Sequence, residues 1–231
     1  MNLIEQFFTI SKNRDIKGAI AFQKILTGNI ECERFKKKVK SICAFDISYE
    51  KSSNTNYASA VVMSHPDLEL LEERYSIETA PFPYVPGLLA FREGPAIIHL
   101  YNQLVTVPDM LLFDGQGLAH PRGMGIASLV GLLLAKSSVG CAKSRLIGEY
   151  DEPGQDRGNF MDLTHDSKII GRVLRTRSKV KPVFVSVGHF VDLDQASEIV
   201  LTCCRKYRLP EPILAAHNLA NTVRRNKAGT L

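Results

Sequence analysis

The chain has 231 residues, of which 45% are hydrophobic and 23% charged, and a formal net charge of +5. That length suits one large domain or two small ones and buries enough surface to fold without a disulfide or zinc staple. The composition excludes a disordered, collagen-like or coiled-coil chain. No apolar run approaches the ~20 residues that span a bilayer, and the N-terminal stretch lacks the pattern of a signal peptide. A cytoplasmic protein with no membrane partner is therefore expected. The mild basic bias permits phosphate attraction without demanding it. Five cysteines, Cys32, Cys43, Cys141, Cys203 and Cys204, cannot all pair with one another and show no zinc spacing, so free thiols in a reducing compartment are expected.

In chain order, residues 1–29 read as helical, with Ile16, Ala19, Ile20, Phe22, Ile25 and Leu26 mostly on one face and Gly28-Asn29 as the stop. The basic cluster Arg34–Lys40 follows, either a solvated approach to the next strand or a phosphate contact. Ser41–Ser48 and Tyr57–Met63 read as strands, joined through the turn-forming KSSNTN as a hairpin. Leu68–Ile77 fits strand or helix. Pro81, Pro83 and Pro86 interrupt regular structure. A helix is expected over 95–104 with Pro95 in its first turn, a short strand at Asp109–Phe113, an apolar helix at Gly125–Lys136 and a strand at Val139–Ala142. Residues 149–160 read as a loop, Pro182–Val187 as a strand, and Leu193–Tyr207 and Pro212–Arg225 as helices. No repeat or linker divides the chain. One mixed α/β domain over 1–231 is expected, with residues 1–38 as a helical extension packed on it and 226–231 as a frayed tail.

Three carboxylates stand out by placement. Asp46 interrupts the apolar run Ile42–Phe45, Asp114 ends Leu111-Leu112-Phe113, and Glu93 lies between a proline-rich loop and the expected helix start. Ionised carboxylates beside a core are costly unless paired or coordinated. If they converge at strand ends they suit a hard cation such as Mg2+ or Mn2+; otherwise Asp114 opens an Asp-Gly turn and Asp46 pairs with a lysine. The glycines after Asp114 fail the dinucleotide-binding spacing, and Pro121 interrupts the helix start which that motif needs. Tyr84, in PFPYVPG, either packs its loop down or is presented to stack on a base. Lys143 and Arg145 either contact phosphate or end a strand in solvent. His217 and the other histidines have no partner identifiable from spacing, and no nucleophile-elbow motif supports a serine triad.

Taken together, CAFDISYE, PYVPGLLAFREGP, PDMLLFDGQGLAHPRGMGIAS, VGCAKSRLIGEY and EPILAAHNLAN, in that order over residues 43–221, resemble the endonuclease V family. The resemblance implies a ribonuclease-H-like α/β fold, a mixed sheet whose first three strands are antiparallel, flanked by helices. It implies a Mg2+-dependent DNA repair nuclease, with Mn2+ able to substitute. Such an enzyme acts on deoxyinosine and cuts the second phosphodiester bond on its 3′ side, leaving 3′-hydroxyl and 5′-phosphate ends. By motif, Asp46 and Asp114 would be metal ligands, Glu93 would hold metal or its water, and His217 would be a ligand or proton-transfer group. Lys143 would stabilise phosphate or position water. Pro83, Tyr84, Val85 and Pro86 would form the strand-separating wedge, and Gly87, Leu88, Leu89, Gly115, Gly117 and His120 would line the lesion pocket. The partner would be deoxyinosine-containing DNA, or inosine-containing RNA as in some relatives, met by a monomer. A non-catalytic binder of deaminated nucleic acid and a small-molecule metallohydrolase are the alternatives from other classes. Two departures stand out: AHPRGMGIA lacks a second basic residue after its arginine, and His217 stands where some members carry a carboxylate.

Overall fold

The computed structural model describes residues 2–228. Helix α1 (Leu3–Asn13) is closed at its start by a reciprocal Asn2–Glu5 capping box. Arg14 then turns left-handed (φ 55°) and Asp15 caps helix α2 (Ile16–Leu26) by accepting from the Gly18 amide. The helix expected over 1–29 is thus two helices, because a left-handed residue followed by a capping aspartate ends one and starts the next.

Strands β1 (Ser41–Glu50), β2 (Thr55–Ser64) and β3 (Leu70–Thr79) form the expected antiparallel trio, and the ambiguous third segment is strand. Helix α3 (Leu89–Asn102) starts six residues before Pro95, which therefore lies inside it rather than in its first turn. The proline costs the helix a bond, and buried Asn56 donates to the neighbouring Arg92 carbonyl at 3.2 Å. Strand β4 (Met110–Phe113), helix α4 (Ile126–Leu134) and strand β5 (Ser138–Ala142) follow close to expectation. Strands β6 (Phe160–His165) and β7 (Lys168–Leu174) form a hairpin, and β8 (Val183–His189) completes the sheet. Helix α5 (Leu193–Cys203) stops before Tyr207, whereas α6 (Glu211–Ala228) runs through part of the expected tail. The rest of that tail, 229–231, lies outside the described residues.

The eight strands form one sheet in the order β3-β2-β1-β4-β5-β8-β7-β6. Among the described residues, only β1–β4 and β4–β5 pair in parallel. This is the mixed, ribonuclease-H-like sheet flanked by helices. Successive side chains on a strand point to opposite faces, and the two cores follow that alternation. Cys43, Phe45, Leu111 and Phe113 join α1–α4 in one cluster; Ile42, Ala44, Met110 and Leu112 join α5 and α6 in the other. The cysteines are all free thiols, four of them buried. No helix among the described residues is long and apolar enough to cross a membrane.

Candidate active site

Two parallel strands bring the first two carboxylates together. Phe45 of β1 and Phe113 of β4 are register partners, so the next residue on each chain, Asp46 and Asp114, emerges side by side. Asp114 follows the last residue of β4, while Asp46 shares the parity of Ala44 and faces α6. That helix is tied to the sheet where Ser59 Oγ donates to the Ala216 carbonyl at 2.7 Å. The next residue, His217, places Nδ1 3.1 Å from Asp46 Oδ2, and Asn221 one turn on donates to His217 Nε2 at 3.0 Å. With Nε2 accepting, the proton sits on Nδ1 and points at Asp46. Lys143, just past β5, places Nζ 2.5 Å from Asp114 Oδ2.

Glu93 arrives from α3 and joins Asp46 and Asp114 around a cleft of about 120 Å3. Loss of hydration pushes its pKa up to about 8; the charges of Asp46 and Asp114 add to this and Arg92 opposes it. Burial likewise raises the Asp46 carboxyl, with His217 pulling it down, Asp114 adding and Lys143 opposing. The group is therefore three crowded carboxyl groups with two nitrogen bases seated on two of them.

A hard divalent cation fits this donor set. All donors from the three acids are oxygen, and both the burial that raises Glu93 most and the repulsion from Asp46 and Asp114 that adds to it would be offset by a cation between them. As they stand, no three His, Cys, Asp or Glu side chains among the described residues are placed to hold a metal ion; Lys143 and His217 are seated on Asp114 and Asp46 instead.

Beside this cleft, and sharing Leu89, Asp114 and Ile126 with it, lies a cavity of about 360 Å3. Tyr84, Val85, Pro86, Gly87, Leu89, Gly115 and His120 line it, as do Lys143 and Arg145. Tyr84 is 67% exposed at its mouth, so it is presented rather than packed down. Arg145 donates to the Gly148 carbonyl at 2.9 Å and stays exposed. Two residues expected here lie elsewhere. Leu88 is buried in the core with Phe82 and Phe91, because the first turn of α3 points it inward. Gly117 lies beneath the cavity, where a Cβ would come within 2.0 Å of the Val187 carbonyl oxygen; its glycine serves close packing of the loop on β8. Pro83 faces away, towards a neighbouring cleft.

The structure adds residues that the motifs did not single out. The Gly87 carbonyl accepts from Gln23 Nε2 (3.1 Å), His120 Nε2 (3.0 Å) and Arg122 Nη2 (2.6 Å). Gln23 also donates to the Met124 carbonyl and accepts from Arg122 Nε. The Arg122 amide donates to His120 Nδ1 at 3.2 Å, which fixes the ring proton on Nε2. Burial, with Arg122 assisting, holds the His120 pKa down to about 4, against the pull of its Gly87 bond, so the ring is neutral. Gly87 itself has φ 77°, a conformation natural to glycine. Gln23 was detectable in the sequence as a polar residue on the buried face of α2, between Ala19 and Leu26. The Gln116 side chain also lines the cavity, and its buried Oε1 has no partner among the described residues.

The family model for Endonuclease V matches residues 24–218. An Endonuclease V of Dehalococcoides mccartyi is 45% identical over 199 residues, covering 86% of this chain and 89% of its own. The crystal structure of Endonuclease V from Streptomyces avermitilis superposes with a TM-score of 0.88 at 36% identity, covering 92% of this chain and 94% of the other. That of Ciona intestinalis Endonuclease V, in complex with a 24mer DNA containing an inosine followed by a ribo-adenosine, gives 0.80 at 28% identity, covering 91% and 98%.

Proposed function

The chain belongs to the endonuclease V family, and we propose that it is a metal-dependent DNA repair endonuclease that hydrolyses the second phosphodiester bond 3′ to deoxyinosine, leaving 3′-hydroxyl and 5′-phosphate ends. The observation that carries this reading is the convergence of Asp46, Glu93 and Asp114 beside a cavity whose mouth presents Tyr84. The complex of the Ciona relative with inosine-containing DNA supports the choice of lesion.

In this reading Asp46 and Asp114 would hold Mg2+, or Mn2+ in its place, and Glu93 would hold the metal or its water. When bound, the ion would supply positive charge at the scissile phosphate and lower the pKa of water. Lys143 lies at the junction of cleft and cavity, where its ammonium steadies the phosphate or positions the attacking water. His217, held by Asn221 with its proton on Nδ1, moves a proton at the Asp46 edge. Pro83–Pro86 is the stiff wedge that carries Tyr84 between strands, and the unstacked base enters the cavity lined by Gly87, Leu89, Gly115 and His120. Extruding a nucleotide costs a few kcal/mol, less for a poorly paired base.

The test is cleavage of matched DNA and RNA oligonucleotides, each with one inosine, with Mg2+ or EDTA, beside Asp46→Ala. The expected result is metal-dependent cutting one nucleotide beyond the inosine in DNA, lost in the variant. Binding without cutting under every metal would overturn the enzyme reading in favour of a non-catalytic binder. A ribonuclease is the second reading, favoured by the ribo-adenosine that follows inosine in the Ciona complex. Preferential cutting of the RNA would establish it, because strand choice turns on contacts to the 2′-hydroxyl.

A further inference from the structure

Tyr84 stands between two cavities. One is the cavity beside the carboxylates. The other is a cleft of about 410 Å3, lined by Arg14, Tyr49, Lys51, Pro83, Tyr84 and Arg92 among others, with no carboxylate in its wall. Its cations come from separate elements: Arg14 caps α1, Lys51 follows β1 and Arg92 lies on α3. Arg14 and Lys51 are exposed, and neither side chain makes an ion pair or hydrogen bond among the described residues. The Arg92 guanidinium is buried, 3.6 Å from the centre of the Tyr49 ring and 5.9 Å from that of Tyr84. Cations beside aromatic faces are what an unpaired nucleotide needs, the charge for its phosphate and the rings for its base.

We infer that this cleft receives the nucleotide of the complementary strand left unpaired opposite the extruded inosine. The inference rests on the reading of the protein as an inosine endonuclease with Tyr84 as its wedge. A wedge in a duplex has one strand on each side. The side bearing Asp114 and Lys143 takes the strand to be cut, which leaves the side bearing Arg14 and Lys51 for the other. The pocket volume falls within the ~300–1,000 Å3 range of small-ligand sites.

Arg14→Ala/Lys51→Ala is compared with the unaltered protein in binding and single-turnover cleavage of one inosine oligonucleotide, free and annealed to its complement. The expected result is an about tenfold weaker duplex Kd with single-strand cleavage unchanged. In parallel the unaltered protein is irradiated on duplexes with 5-iodouracil either opposite the inosine or beside it in the cut strand. Cross-links to residues 49–54 from the complementary strand are expected. Equal losses on both substrates, no loss on either, or cross-links to 49–54 from the cut strand alone would overturn the inference. The cross-linking arm needs no variant to fold. An unaltered protein that cuts neither substrate would instead sink the enzymatic reading, and the cross-links would still judge the cleft.

Discussion

A carboxyl group at position 93 loses its hydration on α3 and faces Asp46 and Asp114, which together lift its pKa to about 8 against Arg92. Such a group binds more protons in the folded chain than in the unfolded one, where its pKa is near 4.5. Its contribution to the stability of the metal-free protein is therefore present at low pH and is lost as pH rises towards about 8. His120 has the opposite sign. Its pKa falls from 6.5 to about 4, so its contribution is present above the higher value and is lost as pH falls through that window. Glu93→Gln removes only the first slope. Thermal melts without metal are expected to show a variant as stable as the parent near pH 5 and more stable near pH 8. Cleavage by the variant is expected to fall about 10- to 100-fold. A variant less stable at both pH values would mean that the Glu93 carboxylate is supported by contacts the crowded cleft does not show.

At the scale of elements, α1 and α2 carry the core and the cavity together. Phe7 and Phe22 are buried, with ring centres 5.2 and 6.2 Å from that of Phe91 on α3. We propose that these helices and the sheet unfold as one unit. Phe7→Ala is expected to cost about 3–5 kcal/mol in urea unfolding, with one transition by fluorescence and circular dichroism alike; two separated transitions would show that 1–38 folds apart. Gln23 links the same helix to the cavity wall. Gln23→Ala leaves the Met124 carbonyl short of its donor and Arg122 Nε short of its acceptor, and is expected to cost about 1–3 kcal/mol. Because the Gly87 carbonyl also loses a donor, discrimination of inosine from adenosine should fall as well; unchanged discrimination would confine Gln23 to folding. Much of this was legible in the sequence. Asp46 and Asp114 could be read because each follows an apolar strand run, and the β1–β2 hairpin because its turn residues were explicit; the third strand fitted helix as well, and the antiparallel trio followed only from the family resemblance. The β6–β7 hairpin was missed because its strands are half exposed, with Phe160, Met161 and Ile169 facing outward, so the apolar alternation is blurred. Pro95 misled because proline is common in first turns, whereas here it lies in the interior of α3. The Gln23–His120–Arg122 network joins positions 99 residues apart, a distance no local pattern spans.

Across the whole molecule, the cleft puts the carboxyl groups of Asp46 and Asp114, with a largely protonated Glu93 beside them, next to the place a phosphate must occupy. A net charge of +5 spread over 231 residues does not offset that locally. Binding must therefore draw on cations placed around the acids: Lys143 and Arg145 at the lesion cavity, and Arg14 and Lys51 across the wedge. Lys143 is now seated on Asp114, so it becomes available to a phosphate when a divalent cation takes that carboxylate. Affinity for an inosine duplex should consequently depend on salt and on the divalent ion together. With a non-cleaving divalent ion such as Ca2+, Kd is expected to weaken by more than about tenfold between about 50 and about 200 mM salt. Replacing the ion by EDTA should weaken binding at every salt concentration and flatten that slope, because Lys143 returns to Asp114. Lys143→Ala should reproduce the flatter slope while Ca2+ is present. Fluorescence anisotropy titrations on one labelled duplex measure all three. A slope that is the same with Ca2+, with EDTA and in Lys143→Ala would mean that the ammonium stays on the carboxylate throughout, and the phosphate contact assigned to it would have to move to Arg145.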